Sequence, residues 1–199
     1  SPEVPAVSAE TLAVRTPSNV ILGLGRLSHE KGFDRLLDAF ASLAAEFPDW
    51  RLRILGEGPL RELLQEQINK RGLQEQVELP GWTAEPELQL DQGAIFVLPS
   101  RYEGFPNALL QAMSRGLACI SYDCESGPAE MIRSETNGLL VPADSVSELA
   151  QALKRLMGDE ALRHRLAVAA LQVTERFSVE KYFLHWEQLI DQAISESKT

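Results

Sequence analysis

The chain alternates between two kinds of hydrophobic spacing. One is a short apolar run, most often closed by glycine or proline: Asn19-VILGL-Gly25, Trp50-RLRIL-Gly56, Val77-Glu-Leu79, Ala94-IFVL-Pro99, Ala118-CIS-Tyr122 and Leu139-LV-Pro142. The first, a short apolar run ending in glycine, is the signal of a buried parallel strand. Between the runs the spacing becomes helical. Positions 33, 36, 37, 40, 43, 44 and 47 are apolar and Pro48 stops the pattern, which predicts a helix over Phe33–Phe47. Further helices are predicted over 60–68, ended by Gly72, and over 108–113, closed by Gly116. Residues 86–90 make one or two helical turns, and Pro128 in a first helical position opens another short helix to Ile132. Asn137-Gly138 is a turn, and Ser145-Val-Ser-Glu148 is a capping box for a helix to Met157. Two more helices close the chain, over 160–175 and 179–194, the second capped by Ser178.

Six strands alternating with helices define the fold class: α/β, a Rossmann-like parallel sheet of about six strands with helices on both faces. In such a sheet ligands bind beyond the carboxyl ends of the strands. The segments to inspect are therefore 23–32, 56–59, 80–84, 99–107, 123–128 and 142–145.

Composition narrows the picture. With 199 residues, 44% of them hydrophobic, the chain suits one domain or at most two small ones. Residues 1–18 carry three prolines and little periodicity and read as a linker; 19–177 form the domain, and 178–199 its C-terminal helix. The missing initiator Met and this linker predict a piece of a longer protein. The start has no basic patch followed by an apolar run, the signal-peptide pattern, and no stretch reaches transmembrane length. A net charge of −10 argues against nucleic acid or an acidic membrane surface as a partner, but leaves room for a small anion held by local cations. Cys119 and Cys124 lack metal-site spacing and read as reduced thiols of a cytoplasmic protein. His29, His164 and His185 form no triad arrangement; the latter two lie on late helices, solvated or packed.

Candidate chemistry sits in the strand-end loops. Gly23-Leu-Gly-Arg-Leu-Ser-His-Glu-Lys-Gly32 offers glycines, Gly25 among them, that let a ligand approach the backbone. Arg26 and Lys31 together suit a diphosphate; alternatively Arg26 caps a carbonyl and Lys31 is solvated. Gly56-Glu-Gly-Pro either shapes a turn or lets a base lie on the backbone. Gly81-Trp82 puts an indole where it either stacks on a base or packs in the core. In Glu103-GFPNALLQAM, a helix begins near Asn107, itself a good cap, and leaves the amides of 107–109 free for phosphate. Gln111 lies one turn on, on the same face. Glu103 either accepts from two sugar hydroxyls or only favours the helix dipole. Asp123 and Glu125 suit a loop role better than a metal site.

These pieces in this order resemble the C-terminal, donor-binding domain of the retaining GT-B glycosyltransferases of family four (group 1). The matching segments are GRLSHEKGFDRLLDAF, ILGEGP, VELPGW, LPSRYEGFPNALLQAMSRGLACIS, SGPAEMI, NGLLVP and the final FS…W helix, across 19–194. The resemblance implies metal-independent transfer from a nucleotide sugar, a UDP-hexose or UDP-N-acetylhexosamine, with no cofactor. It implies that Arg26 and Lys31 bind the diphosphate and Glu103 the donor sugar. The segment Gly104, Phe105, Pro106, Asn107, Ala108 and Leu109 lies around sugar and phosphate, and Gly25, Gly56, Gly81 and Trp82 complete the donor pocket. Gln111 stands where the family has a second glutamate for the ribose. A glycan or lipid-linked acceptor would bind an N-terminal domain absent from this chain, onto which the last helix crosses, leaving apolar surface of 177–194 exposed. Any membrane contact, at a cytoplasmic face, would run through that domain. Two other readings stand beside it. One is a module that binds nucleotide sugars without catalysis. The other is an NAD domain, which Ser28 in the third-glycine position and a late acidic residue, Glu57, disfavour.

Overall fold

A computed structural model describes Val7 and residues 18–177. Strands β1 (Val20–Leu24), β2 (Arg51–Leu55), β3 (Val77–Gly81), β4 (Ile95–Leu98), β5 (Ala118–Asp123) and β6 (Leu139–Pro142) form one sheet in the order β3-β2-β1-β4-β5-β6. Every neighbouring pair is parallel. The expected fold class is the one observed.

Each strand points alternate residues to opposite faces of the sheet, as the pleat demands. Ile21, Leu52, Ile54, Ile95, Val97, Ile120 and Val141 face one layer, packed by helices α1 (Phe33–Ala41), α2 (Arg61–Lys70) and α6 (Val146–Gly158). Leu22, Phe96, Leu98 and Cys119 face the other, covered by α3 (Pro86–Leu90), α4 (Asn107–Ser114) and α5 (Pro128–Met131). Helix α7 (Glu160–Ala170) contributes to both layers, and α8 (Val173–Arg176) joins the second. All four residues of β4 are buried, which is why its sequence is apolar throughout rather than alternating.

The helix boundaries differ from expectation in two places. The predicted helix over 33–47 ends as α1 at Ala41, because the next residues tighten into turns. Leu43 N–H donates to the Phe40 carbonyl at 2.9 Å, and the Ser42 hydroxyl donates to Ala39 O at 2.7 Å. The apolar phase survives the change: Leu43 and Ala44 remain buried, and Phe47 packs against them. The predicted helix over 160–175 is split into α7 and α8 by a turn at Leu171-Gln172. Its start has a cap that spacing alone did not reveal, the Asp159 carboxylate accepting from Leu162 N–H at 2.8 Å. Ser145 caps α6 by accepting from Glu148 N–H at 3.2 Å, while its own N–H goes to Pro142 O, so only half of the capping box forms. Gly116 ends α4 as expected, with Leu117 N–H bonded to Ala112 O at 3.1 Å. The linker over 1–18, apart from Val7 and Ser18, and the last helix with its Ser178 cap, its apolar surface and His185 lie outside the described residues.

Tyr122 closes the first core layer at the end of β5. It is fully buried, its hydroxyl has no partner among the described residues, and the Arg35 guanidinium lies 5.7 Å from its ring centroid. Arg35 also pairs with Asp144, tying α1 to the turn before α6. Burial pushes the Tyr122 phenol up to about 12, against the pull of Arg35. Because the cause is burial of the phenolate and not a partner for the phenol, stability is flat below the unfolded value of about 10 and falls as pH climbs from there toward 12. Tyr122→Phe should therefore keep or raise stability by up to about 1 kcal/mol at pH 7 and flatten the alkaline loss, both read from urea unfolding midpoints.

Candidate functional site

The strand order reverses between β1 and β4, so their following loops diverge and leave a crevice above the sheet. A cleft of about 400 Å³ opens there, lined by Gly25, Arg26, Gly56, Glu57, Trp82, Thr83, Pro86 and Gln111 among others. Five of the residues singled out in the sequence thus share one cavity, although they come from four separate segments.

Backbone contacts hold its walls. Gly25 N–H donates to Leu55 O at 3.0 Å, Leu27 N–H to Glu57 O at 2.9 Å, and Gly56 N–H to Gly81 O at 2.8 Å. Gly56 has φ 139°, and a Cβ there would lie 1.9 Å from the Gly25 carbonyl oxygen. The Gly-Glu-Gly-Pro turn is therefore glycine because a second loop presses against it. Trp82 is 74% exposed, which removes the core-packing reading and leaves its ring open to the cleft. The Arg26 side chain is exposed and its guanidinium makes no hydrogen bond or ion pair among the described residues, so it caps no carbonyl there.

Lys31 and Glu103 meet directly. Lys31 Nζ donates to Glu103 Oε1 at 2.7 Å, and Ser100 Oγ donates to the same oxygen at 2.6 Å. Glu103 is only 5% exposed and Lys31 29%, so Lys31 is not the solvated lysine of the bland reading. The stem of Lys31 passes 3.7 Å from where Gly25 would carry a Cβ, beside the cleft. Ser126 Oγ donates to the Glu103 carbonyl at 2.6 Å, bracing the loop from the β5 side. Cys124 lies near this carboxylate; burial first, and then the Glu103 charge, push its thiol up. Ser100 and Ser126 went unnoticed in the sequence, where an isolated serine carries no signal.

The helix mouth departs from expectation. Asn107 is the first residue of α4 rather than its cap; Pro106 occupies the cap position and no side chain caps the helix. Nor are all the amides of 107–109 free. Asn107 N–H donates to Phe105 O at 2.9 Å and Leu109 N–H to Pro106 O at 3.0 Å, because the Gly-Phe-Pro turn folds back on itself. The amides of Gly104, Phe105 and Ala108 have no partner among the described residues. The Phe105 ring, 45% exposed, meets Phe177 edge-on at 6.1 Å. Asp123 and Glu125 are exposed and do not line the cleft. His29 and His164 are exposed.

The sequence matches the family model described as glycosyl transferases group 1 over residues 8–173. Among curated relatives, an exopolysaccharide phosphotransferase of Streptomyces coelicolor is 39% identical over 171 residues, covering 85% of this chain and 18% of that one. A lipopolysaccharide 1,6-galactosyltransferase of Salmonella typhimurium is 33% identical over 193 residues, covering 92% of this chain and 53% of that one. The chain thus spans about half or less of these relatives' length. Of solved structures, a mutant of TarM from S. aureus, in complex with Fondaparinux, alpha-GlcNAc-glycerol and UDP, shares the fold. Its TM-score is 0.83 at 22% identity, over 86% of this chain and 35% of that one.

Gly56→Ala should lower stability by more than about 2 kcal/mol, since both backbone angle and neighbouring carbonyl forbid the methyl. A urea midpoint equal to wild type would show that the two loops are not in contact.

Proposed function

The chain belongs to the group 1 glycosyl transferases, and from that premise we propose that it is the donor-binding domain of a retaining, metal-independent glycosyltransferase. Its donor is a nucleotide sugar, a UDP-linked hexose or N-acetylhexosamine. The acceptor, a glycan or lipid-linked glycan, is held by a domain outside this chain, as is any membrane contact. The enzyme needs no cofactor and works in the cytoplasm. No helix among the described residues is long and apolar enough to cross a membrane.

One observation carries the reading: the β1–β4 crevice combines a guanidinium without a partner among the described residues, an open indole and a Lys31–Glu103 pair at one edge. The nucleotide base lies toward Trp82 and the backbone of Gly56 and Gly81. The ribose reaches Gln111. The diphosphate lies between Arg26 and Lys31, with the Gly104, Phe105 and Ala108 amides turned to phosphate and sugar. When the glycosidic bond breaks, negative charge grows on the departing diphosphate, and fixed cations stabilise charge at the moment it forms. Glu103, already the acceptor of two hydrogen bonds, has a second carboxylate oxygen for sugar hydroxyls. The UDP in the S. aureus neighbour supports a uridine nucleotide.

Titration calorimetry with UDP, UDP-sugars, GDP-sugars and NAD tests this. UDP should bind and NAD should not, and Arg26→Ala or Lys31→Ala should weaken UDP by about tenfold, the worth of one charge-assisted hydrogen bond. Binding of NAD in preference to UDP would reject the donor reading. Gln111→Glu should tighten UDP by up to about tenfold, because a charged acceptor holds a ribose hydroxyl roughly twice as strongly as an amide. In the longer parent protein, Lys31→Ala should lower turnover. UDP-sugar binding without transfer there would favour the non-catalytic module. Transfer by residues 1–199 alone would show that no second domain is needed.

A further inference from the structure

Arg101 stands one residue before Tyr102 and two before Glu103, yet nothing in the donor chemistry above uses it. Its guanidinium crosses from the β4–α4 loop to the first turn of α1. There Nη1 donates to Asp34 Oδ1 at 2.9 Å and Nη2 to Asp34 Oδ2 at 2.6 Å, a two-pronged pair. Nη1 also donates to the His29 carbonyl at 2.6 Å, and the Arg101 amide donates to the Glu30 carbonyl at 2.8 Å. One residue thus grips the backbone at 29 and 30, immediately before Lys31. Lys31 in turn reaches back across the gap to Glu103. The two loops touch at the same place: a Cβ on Gly32 would lie 2.0 Å from the Pro99 carbonyl oxygen.

We propose that Arg101, anchored by Asp34, is a positioning residue: it fixes the turn that carries Lys31 so that the ammonium stands at the diphosphate site beside Glu103. The role rests on the donor reading above. Its geometry suits arginine alone. A lysine has one ammonium and cannot span both oxygens of Asp34 and the His29 carbonyl with one planar group. Arg101 and Asp34 are each mostly shielded, with 18% and 28% of their side chains exposed, so the pair escapes most of the screening that weakens surface ion pairs. Burial alone would raise the Asp34 carboxyl; the Arg101 guanidinium outweighs it and holds the group below the usual carboxylate range. Asp34 therefore stays charged, and the clamp closed, at neutral pH. The remaining charged groups near the pair are Arg35 and Asp144, which pair with each other.

The test is a double-mutant cycle on UDP affinity by calorimetry, with folding checked by thermal unfolding. Arg101→Ala should weaken UDP by about tenfold, roughly as far as Lys31→Ala, because it works only through Lys31. In the Lys31→Ala background, Arg101→Ala should then change UDP affinity by less than about twofold. Arg101→Lys should fail to restore affinity. Asp34→Asn, which keeps the shape of the side chain, should weaken UDP in the same direction and decides the matter if Arg101→Ala does not fold. Folded Arg101→Ala or Asp34→Asn with wild-type UDP affinity would overturn the inference while leaving the donor reading intact. So would an Arg101→Ala loss that simply adds to that of Lys31→Ala. Wild-type protein that binds neither UDP nor GDP would instead overturn the donor reading, and this role with it.

Discussion

Glu103 is a carboxylate held almost out of solvent, and the site is built around keeping it satisfied. A buried charge without partners costs several kcal/mol, far more than a surface pair returns. Two donors, Lys31 and Ser100, meet one of its oxygens, and Ser126 holds its own carbonyl. Those three come from the loops after β1, β4 and β5. The carboxylate is satisfied from two strand ends and its peptide carbonyl from a third, and the sheet order makes all three neighbours. With Lys31 29% exposed, the pair lies between the fully buried and the open case. Its lysine remains accessible to an incoming anion while its acid is already oriented.

Close backbone approach is the second constraint. Parallel strands packed side by side leave their loops little room, and Gly32 and Gly56 sit where a neighbouring carbonyl occupies the space of a side chain. At Gly56 that crowding leaves a peptide group, rather than a side chain, in the cleft wall. The helices supply the rest through ordinary layer packing: β1, β4, β5 and β6 send alternate residues into opposite cores, β2 and β3 bury residues in the first, and α1, α2 and α6 balance α3, α4 and α5. Site and core thus share elements. The first turn of α1 buries Phe33 and presents Asp34 to Arg101.

What could be read in the chain beforehand was local in origin. Strand runs, helical spacing and loop composition depend on residues within a few positions of each other, so six strands, the α/β class and several loops that line the cleft were visible. Where a local signal was weak or shared, the reading slipped. Asn107 has the chemistry of a cap, yet Pro106 takes that place because the Gly-Phe-Pro turn bends back and uses up two of the expected free amides. The helix from Phe33 kept its apolar phase beyond Ala41 while its hydrogen bonding changed, since burial follows spacing but helix type follows the backbone.

By itself the sequence determined the kind and order of the elements and the loops that carry charge, because periodicity and turn chemistry act along the chain. The tertiary structure alone decided which of those loops meet. Lys31 and Glu103 stand 72 residues apart, and Asp34 and Arg101 are 67 apart. No spacing rule joins them. They meet because the sheet places β1 beside β4, and that order follows from how two hydrophobic layers close, a property of the whole fold rather than of any segment.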